Sequence, residues 1–331
     1  MKIKVLFLII AFSFYGLSAC AQSSNKSQEV WIATVSQHGL KANTPAEMNE
    51  KLLDIIEEIV PMNPDIVVLP EVAAFAGLPK RPPLAESAEL PYGPITKPYA
   101  EYAKRNKCYV IIPTYTKDKE GRFYNSSVLF DREGEYVGEY RKIYPTVSEM
   151  ERGITPGPLN PPVFETDFGT IAMQICFDNE FVDGWRKLEY SDVDIVFFSS
   201  AYSGGRKLNS VATLFNYNIV SSTRKNGARI IDKAGNDVIS TGTWAPHWVC
   251  APINLNQVVV SAWPGFLKFS EIQKKYGKKV KITNHHLEEF TIIESLDPKL
   301  KASDVLKEFG LESRQEYLIR VEEIQNKRRV E

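Results

Sequence analysis

Histidine and cysteine are scarce in this chain. Its 331 residues include four of each, and none are spaced like the paired ligands of a zinc site. The one close pair, His285-His286, consists of neighbours that point to opposite faces of a strand. The sequence therefore offers no metal centre, and nothing in it asks for a cofactor. An excess of one charge is lacking too. The formal net charge is −1, which argues against an electrostatic footprint for nucleic acid or acidic lipid. No segment repeats at a period of roughly 20–50 residues, so a solenoid is not expected. The apolar run from Val5 to Tyr15 is too short to span a bilayer comfortably. The cysteines, at 20, 108, 176 and 250, make no disulfide scaffold. Cys108 and Cys250 lie in "NKCYVIIPTY" and "HWVCAPI" and read as buried free thiols, although an exported protein could pair them.

What is present begins with an export signal. Lys2 and Lys4 precede the apolar run, and Gly16-Leu17-Ser18-Ala19-Cys20 follows it. "LSAC" resembles a bacterial lipobox, in which the cysteine is acylated and becomes the new N-terminus. The alternatives are an ordinary cleaved signal or an uncleaved anchor with Cys20 incidental. The lipobox reading divides the chain into a signal peptide (1–19), a polar tether (20–29), a main domain (30–262) and a C-terminal extension (263–331). It puts the protein in the bacterial cell envelope, lipid-anchored and facing the periplasm. The lipid is then its only membrane contact. Ala21 after the cysteine favours the outer membrane over the inner.

The mature length suits one large α/β domain. "EVWIATVS" (29–36) reads as a strand. "TPAEMNEKLLDIIEEIV" (44–60) reads as a helix, with Thr44 as N-cap, Pro45 at its first position and apolar residues at helical spacing. "DIVVLPE" (65–71) is a short apolar strand ending in an acid. Residues 125–141 form a hairpin with "REGE" at its turn, and "FGTIAMQICF" and "DIVFFSSA" are further strands. "LNSVATLFNYNIVSSTRKN" (208–226) reads as one long helix. "ARIIDKAGNDVIS" (228–240) is a second hairpin, and "HWVCAPINL" another strand. Strands alternating with helices and then giving way to hairpins imply a mixed sheet with helices packed on it. The last segment, "SRQEYLIRVEEIQNKRRVE", reads as an amphipathic helix with Tyr317, Leu318, Val321 and Ile324 on one side. It either folds back on the domain or meets another copy.

Three pieces of chain each put a reactive side chain at or just after the end of a strand, where ligand sites of α/β sheets concentrate. "VVLPE" ends in Glu71, "GEYVGEYRKIYP" carries Lys142, and "IAMQICFD" carries Cys176. Taken singly, they read as a turn acid, a solvated edge and core filler.

Together and in this order they resemble the nitrilase, or carbon–nitrogen hydrolase, superfamily. "PDIVVLPE" is similar to its first motif. "YNSSVLFDREGEYVGEYRKIYP" is similar to the hairpin leading to its lysine, and "TPGPLNPPVFETDFGTIAMQICFD" to the stretch reaching its cysteine. The resemblance covers about residues 29–256. It implies an α/β fold, a four-layer α-β-β-α sandwich, and a homodimer or larger homo-oligomer. It also implies that Glu71 is a general base, Cys176 a nucleophile and Lys142 an oxyanion partner, with the backbone N–H of Phe177 as a second donor. The family often has another glutamate before its Pro-Gly turn. At the usual spacing that position is Met150 here, so either Glu149 or Glu151 is the candidate. Tyr144, just after the lysine, and Tyr202, after "FFSS", are either pocket residues or core aromatics, and Asp178 is expected to orient the turn after the nucleophile. Asn125-Ser126-Ser127 is formally a glycosylation sequon, discounted because it starts a strand.

True nitrilases of this superfamily tend to follow the cysteine with Trp-Glu. Phe177-Asp178 resembles the amidase side instead. The expected reaction is hydrolysis of a small-molecule amide or carbamoyl amide through a cysteine thioester. The alternatives are acyl transfer from the same thioester, or a non-catalytic envelope lipoprotein that kept the fold.

Overall fold

The computed structural model describes residues 29–189, 191–244 and 246–330. The signal segment, Cys20 and most of the tether lie outside the described residues.

The first sheet contains strands β1 (Glu29–Val35), β2 (Ile66–Val68), β3 (Tyr109–Lys117), β4 (Phe123–Phe130) and β5 (Tyr136–Arg141). The second contains β6 (Val163–Glu165), β7 (Thr170–Ile175), β8 (Ile195–Ser200), β9 (Asn218–Thr223), β10 (Arg229–Ile231) and β11 (Asp237–Ser240). β12 (Trp248–Asn254) then returns to pair antiparallel with β1, giving the order β12-β1-β2-β3-β4-β5 beside β11-β10-β9-β8-β7-β6. The pairs β1–β2, β2–β3, β7–β8 and β8–β9 are parallel, and the outer pairs are antiparallel.

Alternating side chains make four layers from these two sheets. On β1, Val30 and Ile32 enter a core shared with Met173, Ile175 and Phe197 of the second sheet. Ala33 and Val35 point the other way, onto Met48, Leu52 and Ile56 of the helix Pro45–Glu57 and Tyr99 and Tyr102 of the helix Lys97–Asn106. On β8, Ile195 and Phe197 face the shared core, while Val196 and Phe198 face Trp185, Leu208 and Ala212 of the outer helices. β8 is buried on both faces, as the middle strand of a covered parallel sheet must be. The arrangement is the expected α-β-β-α sandwich.

At one end the two sheets are joined by buried hydroxyls. Thr34 Oγ1 donates to the Ser221 carbonyl at 2.9 Å, Ser222 Oγ to Val35 at 2.8 Å, and Ser199 Oγ to Leu69 at 2.9 Å. The Gln37 N–H donates to the Thr223 carbonyl at 2.9 Å. These bonds satisfy polar groups that burial would otherwise penalise. They also hold the C-terminal ends of β1 and β2 against those of β8 and β9.

One local expectation needs correction, and the terminal helix takes one of its two open readings. Residues 208–226 are not one helix. The helix Gly205–Phe215 stops at Asn216, whose φ of 55° is left-handed, and β9 begins at Asn218. Ile219, Val220 and Thr223 are β-branched, and burial between β8 and β10 outweighs the helical spacing that precedes them. The terminal helix, Arg314–Arg328, has no fully buried residue. Tyr317 and Val321 are half-buried, while Leu318 and Ile324 of the supposed apolar side are exposed. Only its start is tied to the second sheet's outer layer, through Arg314 to Asn216 and Gln315 to the Glu189 carbonyl.

A third sheet, β13 (Gln257–Ser261), β14 (Val280–His285) and β15 (Phe290–Ser295), has the order β13-β15-β14. Its core includes Val260, Phe269, Ile272, Ile293 and Val305. The C-terminal unit therefore takes in β13, which precedes residue 263. Cys108 and Cys250 are free and buried.

Candidate active site

The joined end of the sandwich is where the sequence candidates meet. Glu71 follows β2 by way of Leu69-Pro70, and the Leu69 N–H pairs with Ile111 of β3. Lys142 follows β5, and its N–H donates to the Asn125 carbonyl at 2.8 Å, so the β4–β5 ladder sets it beside Asn125. Lys142 Nζ donates to Glu71 Oε1 at 2.9 Å and to Glu149 Oε2 at 2.8 Å. All three side chains are buried or nearly so.

Glu149 owes its position to a capping box. It is the third residue of the helix Val147–Glu151, and Thr146 Oγ1 accepts its N–H. Its own Oε2 accepts the Thr146 N–H at 2.8 Å. Of the two candidate acids, Glu149 joins the cluster. Glu151 is exposed at the end of the same helix.

Two members of the cluster were not among the sequence candidates. Asn125 Nδ2 donates to Glu71 Oε1 at 2.9 Å and to Glu149 Oε1 at 2.8 Å, bracing both acids. Its burial agrees with discounting the sequon. Arg224, just after β9, donates from Nη2 to Glu71 Oε2 at 2.6 Å. Its own stretch reads as the end of a long helix, which hides its place after a strand.

Cys176 comes directly after β7 with φ of 49°. Positive φ is uncommon for a residue with a Cβ, and such strain costs roughly 1–3 kcal/mol where the surroundings impose it. Asp178 imposes it here. Fully buried, it accepts the Ile175 N–H and the Tyr144 N–H at 2.8 Å each, and the Tyr140 hydroxyl at 2.8 Å. Val72, the residue after Glu71, is also left-handed, with φ of 41°.

Burial, the Glu71 charge and Lys142 all act on the Cys176 thiol. Burial is the largest influence and, with Glu71, pushes it up to about 11 against the opposing pull of Lys142. The Ser200 hydroxyl and the Ala201 N–H also favour the thiolate. Burial works against an ionised Glu71, yet Lys142 and Arg224 together hold that carboxyl down at about 2. Glu149 is likewise lowered: burial works against its charge, but Lys142 and the Thr146 N–H together more than offset it. Burial disfavours a charged Lys142, but the two carboxylates raise its pKa above the ordinary lysine value. Two cations, two carboxylates and a neutral thiol sum to zero. Moving a proton from the thiol to Glu71 leaves that sum unchanged.

Aromatic side chains form a rim next to Cys176. Tyr144 stacks on Phe181 with ring centroids 4.0 Å apart, and Phe177 meets Phe181 edge-on. Phe177 and Phe181 are exposed and Tyr144 is half-buried. The half-buried Tyr202 accepts from Asn179 Nδ2 at 3.1 Å through its hydroxyl.

Residues 32–216 match the family model for the carbon-nitrogen hydrolases. The chain belongs to the carbon-nitrogen hydrolase family. Among curated relatives, it is 26% identical over 208 residues to a β-ureidopropionase of Arabidopsis thaliana, covering 57% of this chain and 51% of that one. It is 29% identical over 144 residues to a formamidase of Bacillus cereus, covering 42% of each. The chain spans about half the length of the curated relatives it matches. Its fold is also that of an amidase from Nesterenkonia sp., with a TM-score of 0.60 at 18% identity over 69% of this chain and 91% of that one.

Proposed function

We propose that this protein hydrolyses a non-peptide carbon–nitrogen bond, that of a linear amide or carbamoyl amide, through a thioester on Cys176. The observation that carries the reading is the buried contact of Lys142 with Glu71 and Glu149 beside a strained, half-buried cysteine. The names of the relatives, β-ureidopropionase, formamidase and amidase, support the bond type.

Glu71 takes the Cys176 proton as sulfur attacks the carbonyl carbon. The C–S bond forms while the carbonyl π pair moves onto oxygen. Lys142 and the Phe177 N–H face that developing charge. One such preorganised donor is typically worth ~10²–10³ in rate. The oxyanion collapses, the C–N bond breaks, and the nitrogen leaves as ammonia or an amine carrying the proton from Glu71. Water then adds to the thioester, giving a proton to Glu71, and the C–S bond breaks as Glu71 returns that proton to the sulfur, releasing the acid and restoring the thiol. Glu149 keeps Lys142 charged and in place throughout. Tyr144, Tyr202 and Phe181 flank the acyl group.

The lipidation at Cys20, the periplasm-facing envelope location and a homo-oligomeric assembly form part of the same proposal. The outward-facing Leu318 and Ile324 of the terminal helix support a contact between copies.

An ammonia-release assay on a panel of linear amides tests the activity. Release by the wild type and none by Cys176→Ala is expected. Equal release by both would overturn the reading. Cys20→Ala is expected to leave the membrane fraction, and its retention there would refute the lipid anchor.

A further inference from the structure

Glu71 is unusually crowded for a base. A carboxylate has about four lone-pair positions. Oε1 receives two donors, Lys142 and Asn125, and Oε2 receives Arg224. Lys142 and Asn125 are 1% exposed and fixed on the β4–β5 ladder. Oε1 is therefore committed to them. Oε2 is the oxygen with capacity for the thiol proton, and it faces a guanidinium at 2.6 Å.

Arg224 differs from the other two donors. Its side chain is 18% exposed, and it leads from the end of β9 into the exposed Lys225. Its Nε–H is buried with no hydrogen-bond partner among the described residues. Among the described residues, Glu71 is the one side-chain partner of its guanidinium. A planar fork of five donors, mostly unfilled, at the edge of a reaction centre is matched to a second carboxylate.

We infer that Arg224 recognises a carboxylate on the substrate, and that it leaves Glu71 to do so, freeing the base only when an anionic amide is bound. The substrate class is then an amide with a carboxylate a few carbons from the carbonyl that reacts. A neutral amide leaves Arg224 on Glu71 and the base occupied. The charge balance agrees: the incoming carboxylate replaces Glu71 as partner of the guanidinium, and Glu71 is left to accept a proton. Arg224 is also one of the two cations that hold the Glu71 carboxyl low. Its departure brings that carboxyl up toward the thiol. This inference rests on the amide-hydrolysis reading above.

The test uses pairs of matched shape, succinamate against 4-methylpentanamide and glutaramate against 5-methylhexanamide, with the whole protein. The wild type should prefer one or both anionic members by roughly 10–100-fold in kcat/KM, the worth of charge-assisted hydrogen bonds. Arg224→Gln should lose that preference. Its rate on the neutral amides should rise, and the acid limb of their pH–rate profile should move to higher pH. A merely structural role would lower both members together and leave the limb unmoved. Arg224→Lys, which keeps the charge without the fork, decides the matter if the glutamine variant does not fold. It should retain part of the preference. Equal wild-type rates on both members, or equal losses on both in the variant that folds, would overturn the inference while leaving the hydrolase reading intact. No ammonia from either pair, nor from the wider amide panel, would overturn both.

Discussion

Lys142 Nζ lies 2.9 Å from Glu71 Oε1, across 71 residues of sequence. Each group is nearly inaccessible, with side-chain exposures of 1% and 3%. Removing Lys142 leaves two buried carboxylates, Glu71 and Glu149, with Arg224 as the remaining ion-pair partner of Glu71, and breaking such a buried pair typically costs about 3–5 kcal/mol. Lys142→Met should therefore lose stability as well as rate, as read by urea denaturation at pH 7. The deficit should shrink in acid. Glu71 is held from 4.5 down to about 2, so the stabilisation it brings is complete above the unfolded value and is lost as pH falls through the folded one. Lys142 is raised, so its stabilisation is complete below the unfolded lysine value and is lost only at high pH. A deficit that stays constant between pH 7 and 2 would contradict this coupling.

Glu71→Gln separates thiol reactivity from turnover. The Glu71 charge is one of the two influences raising the Cys176 thiol to about 11. Taking it away should move the pH midpoint of iodoacetamide alkylation downward, so the thiol alkylates faster at pH 8. Turnover should nonetheless fall by roughly 10²–10⁴, the usual worth of a positioned base. Slower alkylation together with lost turnover would mean that Glu71 supports the thiolate instead.

The left-handed backbone at Cys176 has its own consequence. At φ of 49°, a Cβ is a burden that glycine does not carry. Neither Cys176→Gly nor Cys176→Ala has a thiol. The glycine variant should nevertheless be the more stable by about 1 kcal/mol, within the usual cost of a left-handed residue. A thermal melt comparing the two decides it. A more stable alanine variant would show that Asp178 does not enforce this turn.

Much of the sandwich was legible because strand periodicity is local. Val30, Ile32, Ala33 and Val35 announce both faces of β1 within six residues. The order Glu71, Lys142, Cys176 was legible for a similar reason, since each follows a recognisable strand. Glu149 had a local signal as well: "TVSE" is a capping box, and it distinguishes 149 from 151. Arg224 had none. Helical spacing up to Phe215 carried the reading through a strand whose identity comes from β8 and β10, and 153 residues separate Arg224 from Glu71. Asn125 was visible only as part of a sequon. Its two carboxylate contacts depend on a loop 54 residues before it and a short helix 24 residues after it. The terminal helix was legible as a helix, but whether its apolar side chains are covered by this chain or by another copy depends on packing that its own sequence does not encode.

The claim on which the rest depends is a covalent acyl group on Cys176. Intact-protein mass spectrometry after acid quench, during steady-state turnover of an amide that releases ammonia, measures it directly. The account predicts a mass increase equal to the acyl group, mapped to the peptide containing Cys176 and absent in Cys176→Ala. Sustained ammonia release by Cys176→Ala, or an acyl adduct mapped to any other residue, would contradict it.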